Sequence, residues 1–396
     1  LAKEAKNQTL AEKFKAIDAQ IAVVKKAAGV QEEDKPIVFR GNDPAALAKL
    51  KTEYIPTPST ELNEQISGKP GTGGFPIGLF TVVSGIYDSG KTGLVLETIG
   101  KQMQKDPNFL ALWVESENSI NDDLLKLYHI DINRIVILFM DSREGGEAVL
   151  DRAESFLNLG VFQLFAVNSL RALTPKAIIN KPVSEDTMAI HARMNAKFFA
   201  KFGPLIADLD VAGIIVQHLT TQIGTMSRDP LTLSGGQQIR YQNMLQLDLR
   251  KQSIGEGDPI SKEEGMKIMV YIRKNHVNAS KFPYAKIVYY VIYGQGIETK
   301  LALLQRGLDR GVLTKAGAYI RFVDKETGEV MSWQGKQAFR NALSDPDLYN
   351  KIEEACGGSG EELTQEEIRE LGTDDADEKP EKKSRKGKKE DPTDAA

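Results

Sequence analysis

From Phe80 onward, short apolar runs alternate with stretches in which apolar side chains return every three or four positions. The runs Thr81–Ser84, Leu110–Glu115, Arg134–Phe139, Phe162–Asn168 and Gly213–His218 predict strands. Gly93–Lys105, Asn121–Tyr128, Gly146–Leu159 and Ser184–Leu209 predict helices between and after them. Such alternation predicts an α/β class: a mostly parallel sheet covered by helices on both faces. Three more runs, Met244–Arg250, Lys267–Arg273 and Lys286–Tyr293, follow one another closely and predict an antiparallel extension. Upstream, Leu10, Phe14, Ile17, Ile21 and Val24 form one apolar stripe on a helix within residues 1–35. Ile37–Gly41 predicts a short strand, Pro44–Lys51 a helix, and Thr57–Gly74 a turn-rich stretch. Beyond the core, residues 298–355 predict a small α+β unit: a helix Leu301–Leu308, a hairpin around Tyr319–Met331, and helices Trp333–Ala342 and Asp347–Ala355. After Gly357-Gly358-Ser359-Gly360 the chain turns acid-rich over residues 361–378 and base-rich over 379–389, with few apolar side chains, which predicts a disordered tail.

Composition narrows the function classes. Apolar residues are 41 % and charged residues 27 % of 396, ordinary for a chain with real cores, and the formal charge of −4 argues against a uniformly basic nucleic-acid coat. One cysteine, Cys356, excludes an intramolecular disulfide or a cysteine-cluster metal site. The four histidines, His129, His191, His218 and His276, are too scattered to suggest a zinc centre. No apolar run reaches a membrane span and Leu1–Glu4 carries no secretory pattern, so a soluble, cytoplasmic protein is expected.

One motif carries chemistry outright. Gly85-Ile86-Tyr87-Asp88-Ser89-Gly90-Lys91-Thr92, followed by Gly93, satisfies G-x-x-x-x-G-K-[ST], and it lies between a predicted strand and a predicted helix. There the glycines let backbone N–H groups turn toward one point, to which the helix N-terminus adds positive potential. Lys91 then reaches the β- and γ-phosphates and the Thr92 hydroxyl ligates Mg²⁺, which predicts a nucleoside triphosphate site. Hydrolysis also needs a group to activate water. Glu115 and Glu117 close the next strand at the sheet's carboxyl edge, where spacing alone leaves either a catalytic or a capping role open.

The stretch Tyr54-Ile55-Pro56-Thr57-Pro58-Ser59-Thr60-Glu61-Leu62-Asn63, the stretch Gly73-Gly74-Phe75-Pro76-Ile77-Gly78 and the phosphate loop together resemble the start of the RecA recombinase core. Leu173-Thr174-Pro175-Lys176, Ile223-Gly224, Gly235-Gly236, Lys274-Asn275, Tyr293-Gly294-Gln295-Gly296-Ile297 and Lys315-Ala316-Gly317-Ala318-Tyr319 continue the resemblance in family order. Several departures and the charged tail make the chain similar to the phage-encoded UvsX group.

The resemblance implies a RecA-like P-loop NTPase core. Its domains would be an N-terminal helix and intersubunit strand (1–45), the ATPase core with two DNA-binding loops (46–296), a C-terminal domain (297–360) and the tail (361–396). It also implies an ATP- and Mg²⁺-dependent recombinase that forms a helical filament on single-stranded DNA, pairs it with homologous duplex DNA, and meets single-strand-binding protein and a loader. By the same resemblance Glu117 is the general base and His218 replaces a glutamine that senses the γ-phosphate. Lys274 reaches the neighbouring protomer's ATP, His276 replaces a second such lysine, and Asn168 stands where a magnesium-associated aspartate is expected. Two segments, Ile178–Ala189 and Leu219–Gly236, correspond to the DNA loops. Met188 and Ile223 would wedge between base triplets, Arg193, Arg228, Gly235 and Gly236 would hold phosphate, and Gln237 would also bind DNA. Two other readings stay open on these residues: a weakly hydrolysing recombination mediator, motivated by Asn168 and His276, and a hexameric helicase on the same core.

Overall fold

The computed structural model describes residues 9–28, 38, 40, 42–44, 50–141, 143–179, 188–221, 231–233, 237–255, 258–278, 286–324 and 327–357. The chain divides into two compact units, Leu1–Leu304 and Gln305–Ala396. Most of the expected strand Ile37–Gly41, most of the helix Pro44–Lys51, most of both DNA-loop segments and the charged tail lie outside the described residues.

In the first unit, β1 (Tyr54–Ile55) and β2 (Phe75–Pro76) pair as a small antiparallel ribbon. The main sheet contains β3 (Phe80–Gly85), β4 (Ala111–Glu115), β5 (Ile135–Phe139), β6 (Leu164–Asn168) and β7 (Ala212–Thr221). The short β8 (Leu231–Leu233) pairs with β7, and β9 (Leu245–Gln252), β10 (Gly265–Asn275), β11 (Lys286–Ile292) and β12 (Gly296–Ile297) complete the sheet. Its order is β12-β11-β10-β9-β3-β7-β6-β4-β5. The run from β9 to β5 is parallel and the pairs β9–β10, β10–β11 and β11–β12 are antiparallel. The antiparallel extension therefore begins one strand later than the spacing predicts. β9 joins the parallel run beside β3, because the chain crosses from β7 through the helix Gln237–Gln242 before entering it.

Alternation along the central strands divides their side chains between two cores. Leu164 and Ala166 of β6 join Leu94, Val95, Ile99 and Met103 from the helix Lys91–Lys105 on one face. Phe165 and Val167 join the helices Gly146–Leu157 and Met188–Asp208 on the other. There Phe165 stacks on Phe202 with ring centroids 5.5 Å apart, and Phe80 meets the edge of Phe199 at 5.3 Å. Each fully buried side chain of this size stabilises the fold by roughly 1.5–3 kcal/mol. Both faces being covered, the chemistry is confined to the sheet's carboxyl edge.

The helix Leu10–Ala27 starts in a capping box, with Thr9 N–H donating to Glu12 Oε2 at 2.8 Å. None of its residues is buried, and Leu10 and Ile17 are 67 % and 47 % exposed. Arg40 lies 4.2 Å over the Phe14 ring and pairs with Asp18 at 3.2 Å.

In the second unit β13 (Leu313–Ala316), β14 (Tyr319–Val323) and β15 (Val330–Gln334) form an antiparallel sheet, a strand more than the expected hairpin. Trp333 belongs to β15, not to the helix expected from it. Its indole meets the edge of Phe339 on the helix Gly335–Ala342, with centroids 5.1 Å apart. The helix Pro346–Gly357 follows, and its Lys351 pairs with the buried Asp324.

Candidate active site

β3 is buried along its whole length and ends at Gly85, where side-chain volume is not available. A Cβ there would stand 2.3 Å from Ser89 Oγ and 2.5 Å from the Leu249 carbonyl. The loop then turns through Asp88 at φ 55° and Gly90 at φ 79°, and Lys91 opens the helix. Gly90 offers no side-chain cap, so the first-turn N–H groups are left for a ligand. Ser89 Oγ donates to the Ile86 carbonyl at 2.8 Å, and Lys91 Nζ donates to the same oxygen at 2.7 Å. Burial pulls the Lys91 ammonium below the usual lysine range, and the Glu117 and Asp88 charges partly restore it. Ile86 and Tyr87 are exposed, at 41 % and 87 %, and Thr92 is half-buried. Gly93 is small because a Cβ would stand 2.6 Å from the Tyr128 hydroxyl.

The two strand-end acids separate. Glu115 is fully buried and structural: Oε2 accepts from Trp113 Nε1 at 3.0 Å, and Oε1 accepts from the Glu117 N–H at 2.8 Å. Glu117 turns out to the edge instead, accepting from the Ser169 hydroxyl. Its carboxylate is 3.2 Å from His218 Nε2 on β7. The parallel register pairs His218 with Gly85, which brings histidine, acid and phosphate loop together.

Asn168 ends β6, fully buried, with Nδ2 donating to Glu115 Oε2 at 3.1 Å and to Ser119 Oγ at 2.8 Å. Its Oδ1 is buried without a hydrogen-bond partner. An orphaned acceptor of this kind suits a water held by a cation. With the Thr92 hydroxyl and the glycine cradle it makes a donor set that fits a magnesium nucleotide. Among the described residues, no group of three or more His, Cys, Asp or Glu side chains is placed to hold a metal ion.

Lys274 sits elsewhere in the single chain. Its ammonium donates to the carbonyls of Arg240 at 2.9 Å, Tyr241 at 3.2 Å and Asn243, closing the end of the helix Gln237–Gln242. His276 is exposed, its N–H bound to the Met244 carbonyl at 2.8 Å. Met188 opens its long helix and Gln237 its short one, while Arg193 is exposed and returns Nε to the Ala189 carbonyl at 3.3 Å. Ile223, Arg228, Gly235 and Gly236 lie outside the described residues.

Sequence reasoning missed Ser169, Ser119 and Lys251. Ser169 directly follows Asn168, a position adjacent to a named candidate. Lys251 pairs with Asp88 across 2.9 Å, from a strand that no motif connects to the loop.

No described helix is long and apolar enough to cross a membrane. Residues 15–298 match the sequence profile of the RecA N-terminal domain. Protein RecA of Aquifex aeolicus is 27 % identical over 369 residues, 91 % of this chain and 99 % of that protein. Protein RecA of Streptomyces ambofaciens is 29 % identical over 341 residues, 86 % of this chain and 84 % of that protein. Protein RecA of Cutibacterium acnes is 27 % identical over 307 residues, 77 % and 82 % of the two chains. With nearly three-quarters of its length under that profile, and its phosphate loop, strand-end acid and sheet order in place, the chain belongs to the RecA family.

Proposed function

We propose that the protein is a DNA-dependent ATPase that coats single-stranded DNA as a helical filament and pairs it with a homologous duplex. Hydrolysis would serve to release the product. The observation that carries this reading is Glu117, set at the sheet edge between Ser169 and His218 and beside the phosphate loop. Lys91 and the open first turn of its helix would take the β- and γ-phosphates, and Thr92 with Asn168 would face the magnesium ion. Magnesium supplies charge neutralisation on the phosphates. Glu117 then accepts the proton of the attacking water, Ser169 fixes its carboxylate, and His218 lies where it can report phosphate to the chain beyond β7.

The exposed apolar stripe on the helix Leu10–Ala27 supports self-association. A head-to-tail contact that does not close gives a helix. Met188, Arg193, Ile223, Arg228, Gly235, Gly236 and Gln237 are proposed to meet DNA, with Lys274 and His276 at the neighbour's nucleotide. Purified protein with Mg²⁺-ATP, with and without single-stranded DNA, tests the reading by phosphate release. DNA stimulation is expected, and its absence rejects the ATPase function.

The second reading, a mediator that binds nucleotide and DNA with little turnover, is favoured by Asn168, which offers no negative charge beside the metal. Filament formation without stimulated phosphate release would select it.

A further inference from the structure

Asp88 is an acid inside a loop otherwise built to attract anions. Its φ of 55° explains a short polar residue, since aspartate and asparagine tolerate the left-handed region and so help turn N–H groups inward. Asparagine meets that need equally well, so the charge requires its own account. Close to the phosphates a carboxylate opposes a ligand of several negative charges. It also acts on Lys91, whose ammonium already feels both Asp88 and Glu117.

Lys251 answers this charge. Gly85 pairs with Leu249 of β9, so closely that a Cβ at Gly85 would stand 2.5 Å from the Leu249 carbonyl. Two residues further, at the end of the same strand, Lys251 Nζ donates to Asp88 Oδ2 at 2.9 Å. The lysine is delivered by the sheet, not by a loop. We propose that Lys251 is a positioning residue for the phosphate loop: by holding the Asp88 carboxylate it keeps that charge off the bound triphosphate. The proposal rests on the reading of this loop as an ATP site. The hydrogen bond to Asp88 holds the Lys251 ammonium above the usual lysine range. With side chains 42 % and 58 % exposed, the pair contributes little to folding, and its effect falls on the ligand.

Equilibrium titration of the full-length chain with a fluorescent ATP analogue and Mg²⁺ tests the assignment. Lys251→Ala is expected to weaken binding about five- to tenfold, with Lys251→Arg recovering most of the loss. Asp88→Asn/Lys251→Ala returns to within about twofold of wild type, because the unmasked charge is gone. In steady-state hydrolysis the loss appears in KM more than in kcat, and it shrinks in salt on the order of 0.5 M. Melting temperatures of the variants stay within about 2 °C of wild type, which a merely structural pair would not predict. If wild type binds and Lys251→Ala binds equally well, or if the double variant is as weak as Lys251→Ala, the role is overturned. A wild type that binds no nucleotide overturns the ATP reading, and this one with it.

Discussion

His218 Nε2 lies 3.2 Å from both carboxylate oxygens of Glu117, so the two side chains form one unit that bridges β7 and the end of β4. The acid is also anchored by the Ser169 hydroxyl. Glu117→Gln keeps the shape and the hydrogen bonds but cannot take a proton. Its ATP turnover is expected to fall about 10²–10⁴-fold, with analogue binding retained. His218→Ala leaves Glu117 with Ser169 alone, and turnover falls by roughly tenfold through a looser carboxylate. Single-turnover phosphate release, measured beside nucleotide binding, separates these losses from failure to bind.

The amide at Asn168 has a local cause. Its Nδ2 donates to the buried Glu115 carboxylate at 3.1 Å, so an aspartate here would place two buried carboxylates in contact. Asn168→Asp is expected to lose roughly 3–5 kcal/mol of stability at neutral pH, the range for a buried charge left uncompensated. Adding Glu115→Gln restores part of it: the amide donates where Asn168 did but no longer accepts from Trp113 Nε1. Chemical unfolding of the single and double variants at pH 7 checks this.

Glu97 is an acid held inside the unit. Both its oxygens accept from the Ile297 N–H, at 3.0 and 2.9 Å, tying the phosphate-loop helix to β12. Burial pushes its carboxyl up to about 7, against which the Ile297 hydrogen bond and Lys101 work; burial, with the Glu97 charge adding to it, pushes the neighbouring Tyr128 hydroxyl up to about 12. The native state thus keeps the Glu97 proton to higher pH than the unfolded chain does. Stability is complete below about 4.5, falls as pH rises to about 7, and levels off above. The loss is on the order of 3 kcal/mol for a shift of this size. Glu97→Gln still offers an oxygen to Ile297 and carries no titration. The variant is expected to exceed wild type at pH 8 and to match it near pH 5, by denaturant unfolding at each pH.

Much of this was legible before the fold. Short apolar runs gave the strands, and the glycine spacing gave the phosphate loop with its flanking strand and helix. The direction of β9 was not legible, because a connection's length does not say which edge of β3 it returns to. Glu115 and Glu117 share a face in any extended strand, yet the chain leaves β4 between them, and only the buried Trp113 indole shows which acid is held inside. Asn168 reads as a lost charge until its amide is seen donating to Glu115. Lys251 carries no motif, and its link to Asp88 exists only once β9 lies against β3.

Lys274 provides the last test, because its place at the end of the helix Gln237–Gln242 differs from the contact the family resemblance implies. Its ammonium donates to the carbonyls of Arg240, Tyr241 and Asn243 at the end of that helix, and burial lowers its pKa from the usual lysine range. A charged donor to carbonyls contributes roughly 1.5–3 kcal/mol. Lys274→Ala is therefore expected to speed amide hydrogen exchange in residues 237–242 by about tenfold or more, with exchange in β3 and β6 unchanged. Lys274→Arg keeps a charged donor and should preserve most of the protection. If ATP and single-stranded DNA draw the lysine to a neighbouring protomer's phosphates, wild-type exchange in this helix rises toward that of the Ala variant as the filament forms. Exchange that is equal in wild type and variant under both conditions would show that neither contact orders the helix.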